Sequence, residues 1–164
     1  MPIDYATPIR TSVQVVQPDW CDYNGHMNVA YYTLAFENAA FEVQEVIDFG
    51  ERYVNEERCS LFTTKGSYSY LQELSVGEPL YIDYLVLDYA PKLLHVLMQM
   101  YHAEREFMAA YTEQIMMHVD LEERRSAAFA DDKLQMIKNY CQGHAGLERP
   151  AGLGEAVGIK KKPH

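Results

Sequence analysis

The hydrophobic period of this chain changes once, near Cys59. Before that point Tyr32, Phe36, Ala39, Val43 and Val46 recur on one side of the stretch Val29 to Ile47, which is the spacing of an α-helix. Leu34, Ala35 and Phe41 fall on the other side. A helix that is apolar nearly all round is expected to be buried rather than to lie on a surface. Asn28 precedes it as a good N-cap, and Gly50 is a plausible C-terminal stop. Upstream, Thr11 to Val16 reads as a short strand ending before Pro18, and a loop from Gln17 to Met27 leads into the helix.

Beyond Cys59 the period is two, giving strands at about 60–71, 79–88, 92–102 and 107–121. Leu80, Ile82, Tyr84 and Val86 share one face; Leu94, Val96, Met98 and Met100 alternate with His95, Leu97, Gln99 and Tyr101. On the last strand Phe107, Ala109, Tyr111, Ile115, Met117 and Val119 share a face with an acid, Glu113. The links at 88–92 and 102–106 are short enough for antiparallel hairpins. Asp131 to Tyr140 reads as a short amphipathic helix. The tail from Gln142 is rich in Gly and Pro, ends in Lys160, Lys161 and Lys162, and is expected to be loosely held. A long helix that needs cover and a meander of strands to cover it make an α+β fold, an antiparallel sheet wrapped around a central helix: the hotdog arrangement. Residues 1–142 would form this single domain and 143–164 a basic tail.

Composition narrows the setting. At 164 residues one domain with a real core is expected. The net charge of −10 argues against non-specific nucleic-acid binding and against an acidic membrane surface. The N-terminus lacks a basic apolar leader, and no run reaches membrane-spanning length. Cys21, Cys59 and Cys141 are scattered without a C-x-x-C, as in a reduced, cytoplasmic protein. The six His form no H-E-x-x-H or other ligand spacing, so neither a metal nor another cofactor is expected.

The chemistry concentrates in W-C-D-Y-N-G-H-M-N at 20–28. An acid, Asp22, lies just ahead of a helix N-terminus. It can activate water or attack a carbonyl directly, while the helix amides hold the developing oxyanion. The plain alternative is a turn acid that accepts hydrogen bonds from local amides. Gly25 answers a backbone need, a positive φ or a close approach. His26 either orients Asp22, lines the acyl pocket or serves structure alone. Cys21 lacks the electropositive neighbours that activate a thiol. Glu113, on an otherwise apolar strand face, must be paired or protonated if buried; it is a structural hydrogen-bond partner, a second site acid or a ligand for a bound substrate.

V-Q-P-D-W-C-D-Y-N-G-H-M-N at 16–28 resembles the D-x-x-G-H-x-N signature of hotdog acyl-CoA thioesterases of the 4-hydroxybenzoyl-CoA thioesterase type. K-L-L-H-V at 92–96, E-Q-I-M-M-H-V-D-L from Glu113 and R-S-A-A-F to Phe129 narrow the resemblance. They are similar to the thioesterases of carnitine catabolism that hydrolyse betainyl-CoA to glycine betaine. The resemblance implies Asp22 as catalytic acid, Asn28 as the residue fixing the helix start, and the Val29 amide as oxyanion donor. It implies an acyl-CoA substrate and sites built across a homodimer, or within a homotetramer. A trimethylammonium acyl head has no N–H and is attracted by aromatic faces and carboxylates; Trp20, Tyr23 and Glu113 are the expected ligands, with His26 beside them. Coenzyme A phosphates would need local cations, for which Lys92, Lys65, Arg124 and Arg125 are placed near strand ends. A hotdog hydratase or dehydratase using Asp22 with His26, and a non-catalytic acyl-CoA-binding module, are the rival readings.

Overall fold

The computed structural model describes residues 3–160 and 163; Lys161 and Lys162 of the basic tail lie outside them. The strands are β1 (Ile9–Arg10), β2 (Gln14–Val15), β3 (Cys59–Tyr70), β4 (Pro79–Ala90), β5 (Leu93–His102), β6 (Met108–Asp120) and β7 (Arg125–Ser126). The helices are α1 (Val29–Val46), α2 (Glu51–Glu57) and α3 (Asp131–His144). One antiparallel sheet runs β1-β4-β5-β6-β3, with β2 also on β4 and β7 on β6. Among the described residues, no helix is long and apolar enough to cross a membrane.

The alternation along β4, β5 and β6 decides which face meets α1. Ile82, Tyr84, Val86, Leu94, Val96, Met98, Met100 and Met116 are all at most 1% exposed and pack with Tyr32, Ala35, Phe36, Ala39, Ala40 and Val43 of the helix. Alanine at 35, 39 and 40 lets the helix axis approach the sheet closely, and Phe36 fills the space this leaves beside Tyr68 (6.1 Å between rings). Burying each large apolar side chain contributes about 1.5–3 kcal/mol. This is the hotdog arrangement expected from the pattern, with one correction. A single sheet covers only one side of α1, so Leu34, Phe41 and Val46 stay 43%, 63% and 65% exposed. The helix is apolar all round, but in one chain it is buried on one face.

Local departures have local causes. The strand expected at 11–16 is split into β1 and β2, because Thr11 turns its hydroxyl to the sheet and accepts the Ile82 amide at 3.0 Å. Gly50 is not the left-handed stop of α1. Asp48 takes that conformation (φ 61°), braced by Lys133 Nζ on Asp48 Oδ2 at 2.5 Å and by Arg52. Gly50 instead precedes α2, where a Cβ would collide with the Glu45 carboxylate that accepts the Glu51 amide at 2.7 Å. The short helix α2 has no room for an amphipathic repeat and leaves no periodic signal.

The tail is held more firmly than its composition suggests. His144 is fully buried. Its Nδ1 accepts the Val86 amide at 2.8 Å, an edge donor of β4 beyond the last β1 partner, Tyr84. Its other nitrogen, Nε2, sits 3.0 Å from the Thr7 carbonyl. The two contacts together require the neutral tautomer with hydrogen on Nε2. Leu147 and Leu153 then cover Leu85, Leu97 and Tyr111 on the outer face of the sheet.

Burial holds the His144 imidazole below its ordinary pKa, the largest influence, partly offset by the Thr7 carbonyl. The unfolded chain therefore binds a proton that the folded chain refuses. This stability is present in full above the ordinary histidine value of about 6.5 and is lost as pH falls from there through the lowered folded value. We expect His144→Leu to unfold about 1–3 kcal/mol more easily at pH 8, because the Val86 amide loses its acceptor. Denaturant melts at pH 8 and pH 5 should show a smaller pH dependence in the variant than in the wild type.

Candidate active site

Residues 20–29 build the site almost by themselves. A 3-10 turn at Pro18–Trp20 is followed by a tight hairpin in which Cys21 pairs with Met27. The hairpin closes through Gly25 N–H to the Asp22 carbonyl at 2.9 Å. Gly25 sits at φ 83°, with nothing near an added Cβ, so glycine is there for backbone conformation and not for space. The Met27 amide donates to the Leu74 carbonyl at 2.7 Å, and His26 pairs with Ser75. These bonds tie the hairpin to the segment that follows β3.

The Asp22 carboxylate is fixed from two sides. Its Oδ1 accepts the Asn24 amide at 2.8 Å, and its Oδ2 accepts Asn28 Nδ2 at 3.1 Å. The Asn28 side chain, then the Asn24 amide, hold the carboxyl below the usual aspartate range, so it is an anion at neutral pH. With its other atom, Oδ1, Asn28 accepts the Ala30 amide at 3.0 Å and caps α1. Its main-chain carbonyl accepts from Tyr31 at 2.9 Å. Among the described residues, the Val29 amide has no hydrogen-bond acceptor, which leaves a donor at the positive end of the α1 dipole.

Asp22, His26, Asn28 and Val29 line one cleft of about 430 Å³, with Met27, Tyr32, Tyr70, Leu71, Gln72 and Glu73 forming the rest of the wall. Four of the expected residues are thus brought together. The others are elsewhere. Trp20 stacks on Tyr31 (6.1 Å between rings, 15° apart) and serves the site through its carbonyl, which accepts the Asn28 amide at 2.9 Å. Tyr23, at the hairpin tip, is 98% exposed. Glu113 is on the outer face of the sheet: it meets His95 at 2.7 Å and accepts the Gly154 amide at 2.9 Å, the structural pairing that a half-buried acid requires. Lys92 is in the β4–β5 turn, where its carbonyl accepts the His118 amide, at the end of the sheet away from Asp22. Arg124 and Arg125 are at that end too, in a depression with Phe62, Met117, Val119 and Leu121, while Lys65 lines an outer-face cavity with His95 and Glu113. Among the described residues the His26 ring makes no hydrogen bond to the Asp22 carboxylate and lies 3.7 Å from Glu73, while the His26 carbonyl accepts the Asp22 amide at 3.4 Å.

Sequence reasoning missed Tyr32 as a wall residue, along with Tyr70, Gln72 and Glu73. The first was assigned to the core by its helical spacing, which is half right: it is 5% exposed. The other three are about fifty residues from Asp22 in the chain, and only the Met27–Leu74 and His26–Ser75 pairings bring them close.

Replacing Asn28 by Ala separates its two duties. Loss of the cap is expected to cost about 1 kcal/mol of stability. The Asp22 carboxyl should then titrate closer to an ordinary aspartate, which carboxyl-carbon NMR would follow directly. An unchanged titration would mean that Asn28 does not tune the acid.

Comparison with known proteins identifies the family of the chain. Residues 16–137 match the family model of the thioesterase-like superfamily. The chain is 30% identical to a betainyl-CoA thioesterase of Pseudomonas aeruginosa over 94% of its own length and 93% of that protein. It is also 30% identical to an L-carnitine dehydrogenase/betainyl-CoA thioesterase of Rhizobium meliloti, covering 97% of this chain but 32% of that one. A Staphylococcus aureus protein solved in complex with CoA superposes with a TM-score of 0.87 at 25% identity, over 94% of this chain and 97% of that one. A Pseudomonas putida protein described as a thioesterase gives 0.79 at 29% identity, over 98% and 99%. By sequence and by fold the chain belongs to the thioesterase-like superfamily, and its activity is thioester hydrolysis.

Proposed function

We propose that the Asp22 cleft hydrolyses acyl-CoA thioesters, with Asp22 as the catalytic carboxylate and betainyl-CoA as the substrate. The observation that carries the reading is an ionised carboxylate held by Asn28 beside the unpartnered Val29 amide. A thioester carbonyl between them would meet a nucleophile or base on one side and an N–H donor on the other. In the base route, Asp22 takes a proton from water as the water oxygen attacks the carbonyl carbon. The negative charge that develops on the carbonyl oxygen is met by the Val29 N–H. Collapse of the tetrahedral adduct breaks the C–S bond, and the CoA thiolate recovers a proton. In the nucleophile route, Asp22 attacks the carbonyl carbon, the C–S bond breaks with CoA leaving as the thiolate, and water opens the resulting mixed anhydride to the free acid and the Asp22 carboxylate. Both routes need the carboxylate ionised, as the bonds from Asn24 and Asn28 ensure.

The betainyl group rests on the relatives named for that activity and on the anionic lining of the cleft. The relative named for both L-carnitine dehydrogenase and betainyl-CoA thioesterase is the basis for placing the reaction in carnitine degradation, and the scattered cysteines are the basis for placing it in the cytoplasm. No observation favours the hydratase reading, because Asp22 and His26 do not form the bonded pair it requires. The working unit is read as a homodimer or homotetramer, for a physical reason. The cleft holds no Lys or Arg to meet the phosphates of coenzyme A, whereas Arg124, Arg125 and Lys92 are at the far end of the sheet. Among the described residues β3 has a strand partner on one side only. Antiparallel pairing of two β3 edges would set the arginines of one copy near the cleft of the other.

Asp22→Asn preserves size and most local hydrogen bonds and should fold normally. Thiol release from betainyl-CoA is expected to fall at least about 100-fold, the usual scale of a lost acid–base group. Turnover close to wild type would remove Asp22 from the mechanism.

A further inference from the structure

The charge of the cleft is opposite to what its substrate class first suggests. A CoA thioester is a polyanion, yet among the described residues the cleft is lined by two carboxylates, Asp22 and Glu73, and by no Lys or Arg. Glu73 has no ammonium or guanidinium partner among the described residues; the His26 ring lies 3.7 Å from it. Arg105 shares an adjoining depression with Glu73, but it is bound to Glu78 and lies over the Phe107 ring at 5.0 Å. An acyl group with its own negative charge would be repelled here, and a neutral aliphatic one would gain nothing from the acids.

Two phenols share the cleft wall with the two carboxylates. Tyr32 and Tyr70 meet edge to face, 5.3 Å between ring centres and 73° apart. Tyr32 is fixed from behind by its hydroxyl on the Gln72 carbonyl at 3.3 Å. Burial pushes its phenol up to about 12, so it remains a neutral ring. Tyr70 is 45% exposed and follows the helix-facing Tyr68 at the end of β3, where the chain bends toward Glu73. Such an aromatic corner, with a carboxylate on the same cleft wall, attracts one chemical class above others: a cation without N–H donors, which needs ring faces and negative charge but no hydrogen-bond acceptors.

We infer that Tyr32, Tyr70 and Glu73 form the subsite for a quaternary ammonium acyl head and set the enzyme's preference for a cationic over a neutral acyl group. The inference rests on the hydrolytic reading of the cleft and replaces Trp20, Tyr23 and Glu113 in this role. In betainyl-CoA one methylene separates the ammonium from the reacting carbonyl, so a head seated in the corner leaves the carbonyl near Asp22 and the Val29 amide. Asp22 adds to the attraction, whereas Glu73 acts on the head alone.

The test compares two esters of the same shape, betainyl-CoA and 3,3-dimethylbutanoyl-CoA, in which carbon replaces the charged nitrogen. The readout is the ratio of their kcat/KM values in the wild type, Glu73→Gln, Tyr70→Leu and Tyr70→Phe. The wild type should favour the cation. The ratio should fall about fivefold to tenfold in Glu73→Gln and in Tyr70→Leu, and should be retained in Tyr70→Phe, which keeps the ring face. A ratio unchanged in both of the first two variants, including a parallel loss with both esters, overturns the subsite, as does a wild type that prefers the neutral ester. Calorimetric Kd values for the uncleavable analogues, with methylene in place of the thioester sulfur, give the same ratio without turnover. A cation preference in binding that Glu73→Gln abolishes would uphold the subsite even if neither ester were hydrolysed, and would place the failure in the hydrolytic reading instead.

Discussion

Asn28 is the residue on which the site depends. One amide side chain caps α1 by accepting the Ala30 N–H and, with its other atom, donates to Asp22. The carboxylate and the helix start cannot move independently while both bonds hold. The geometry needed for carbonyl chemistry, an acid on one side and a free first-turn amide on the other, is thereby set by a single planar group. Backbone bonds complete the frame: Asn28 N–H on the Trp20 carbonyl and Met27 N–H on the Leu74 carbonyl. A loop carrying a catalytic acid would ordinarily be mobile; here it is a closed hairpin pinned at both ends.

The sheet places this unit but does not complete it. Its inner face is filled by α1, and the strand ends divide the charged groups: the acids of the cleft lie at one end, Lys92, Arg124 and Arg125 at the other. The exposed side of α1 and the unpaired edge of β3 are two surfaces that one copy leaves uncovered. An exposed edge strand is a standing invitation to pairing, and an antiparallel match of two such edges is the arrangement that turns opposite ends of two chains into neighbours.

How much of this was legible in the sequence follows contact order. Asp22, Gly25, His26, Asn28 and Val29 are within eight residues of one another, so cap, turn and acid could be read from spacing, as could the four long strands from their period. Trp20 and Tyr23 were drawn in by nearness along the chain, but the hairpin turns Tyr23 into solvent and sends Trp20 onto Tyr31. Glu113 stood out as an acid on an apolar face, and the partner it required was His95 across the strand pair, together with a tail amide. No local pattern could have announced that pairing. Tyr70 and Glu73 carried no motif, and only the pairings of Met27 with Leu74 and of His26 with Ser75 give them a place beside Asp22.

The electrostatics of the cleft then decide among substrates that the fold alone admits. Hydrolysis itself asks only for the carboxylate and the amide, both supplied by residues 22–29. A second carboxylate without a cationic side chain to neutralise it would make an anionic ester bind less well, so it is a cost unless the ester brings the missing charge. In the proposed subsite the cost falls on the acyl end, beside Glu73, Tyr32 and Tyr70, and not on the phosphate end, whose cations the proposed pairing of two β3 edges would supply. A substrate negative at one end and positive at the other matches that separation. Few acyl groups satisfy it without N–H donors that would demand acceptors the tyrosine rings do not offer.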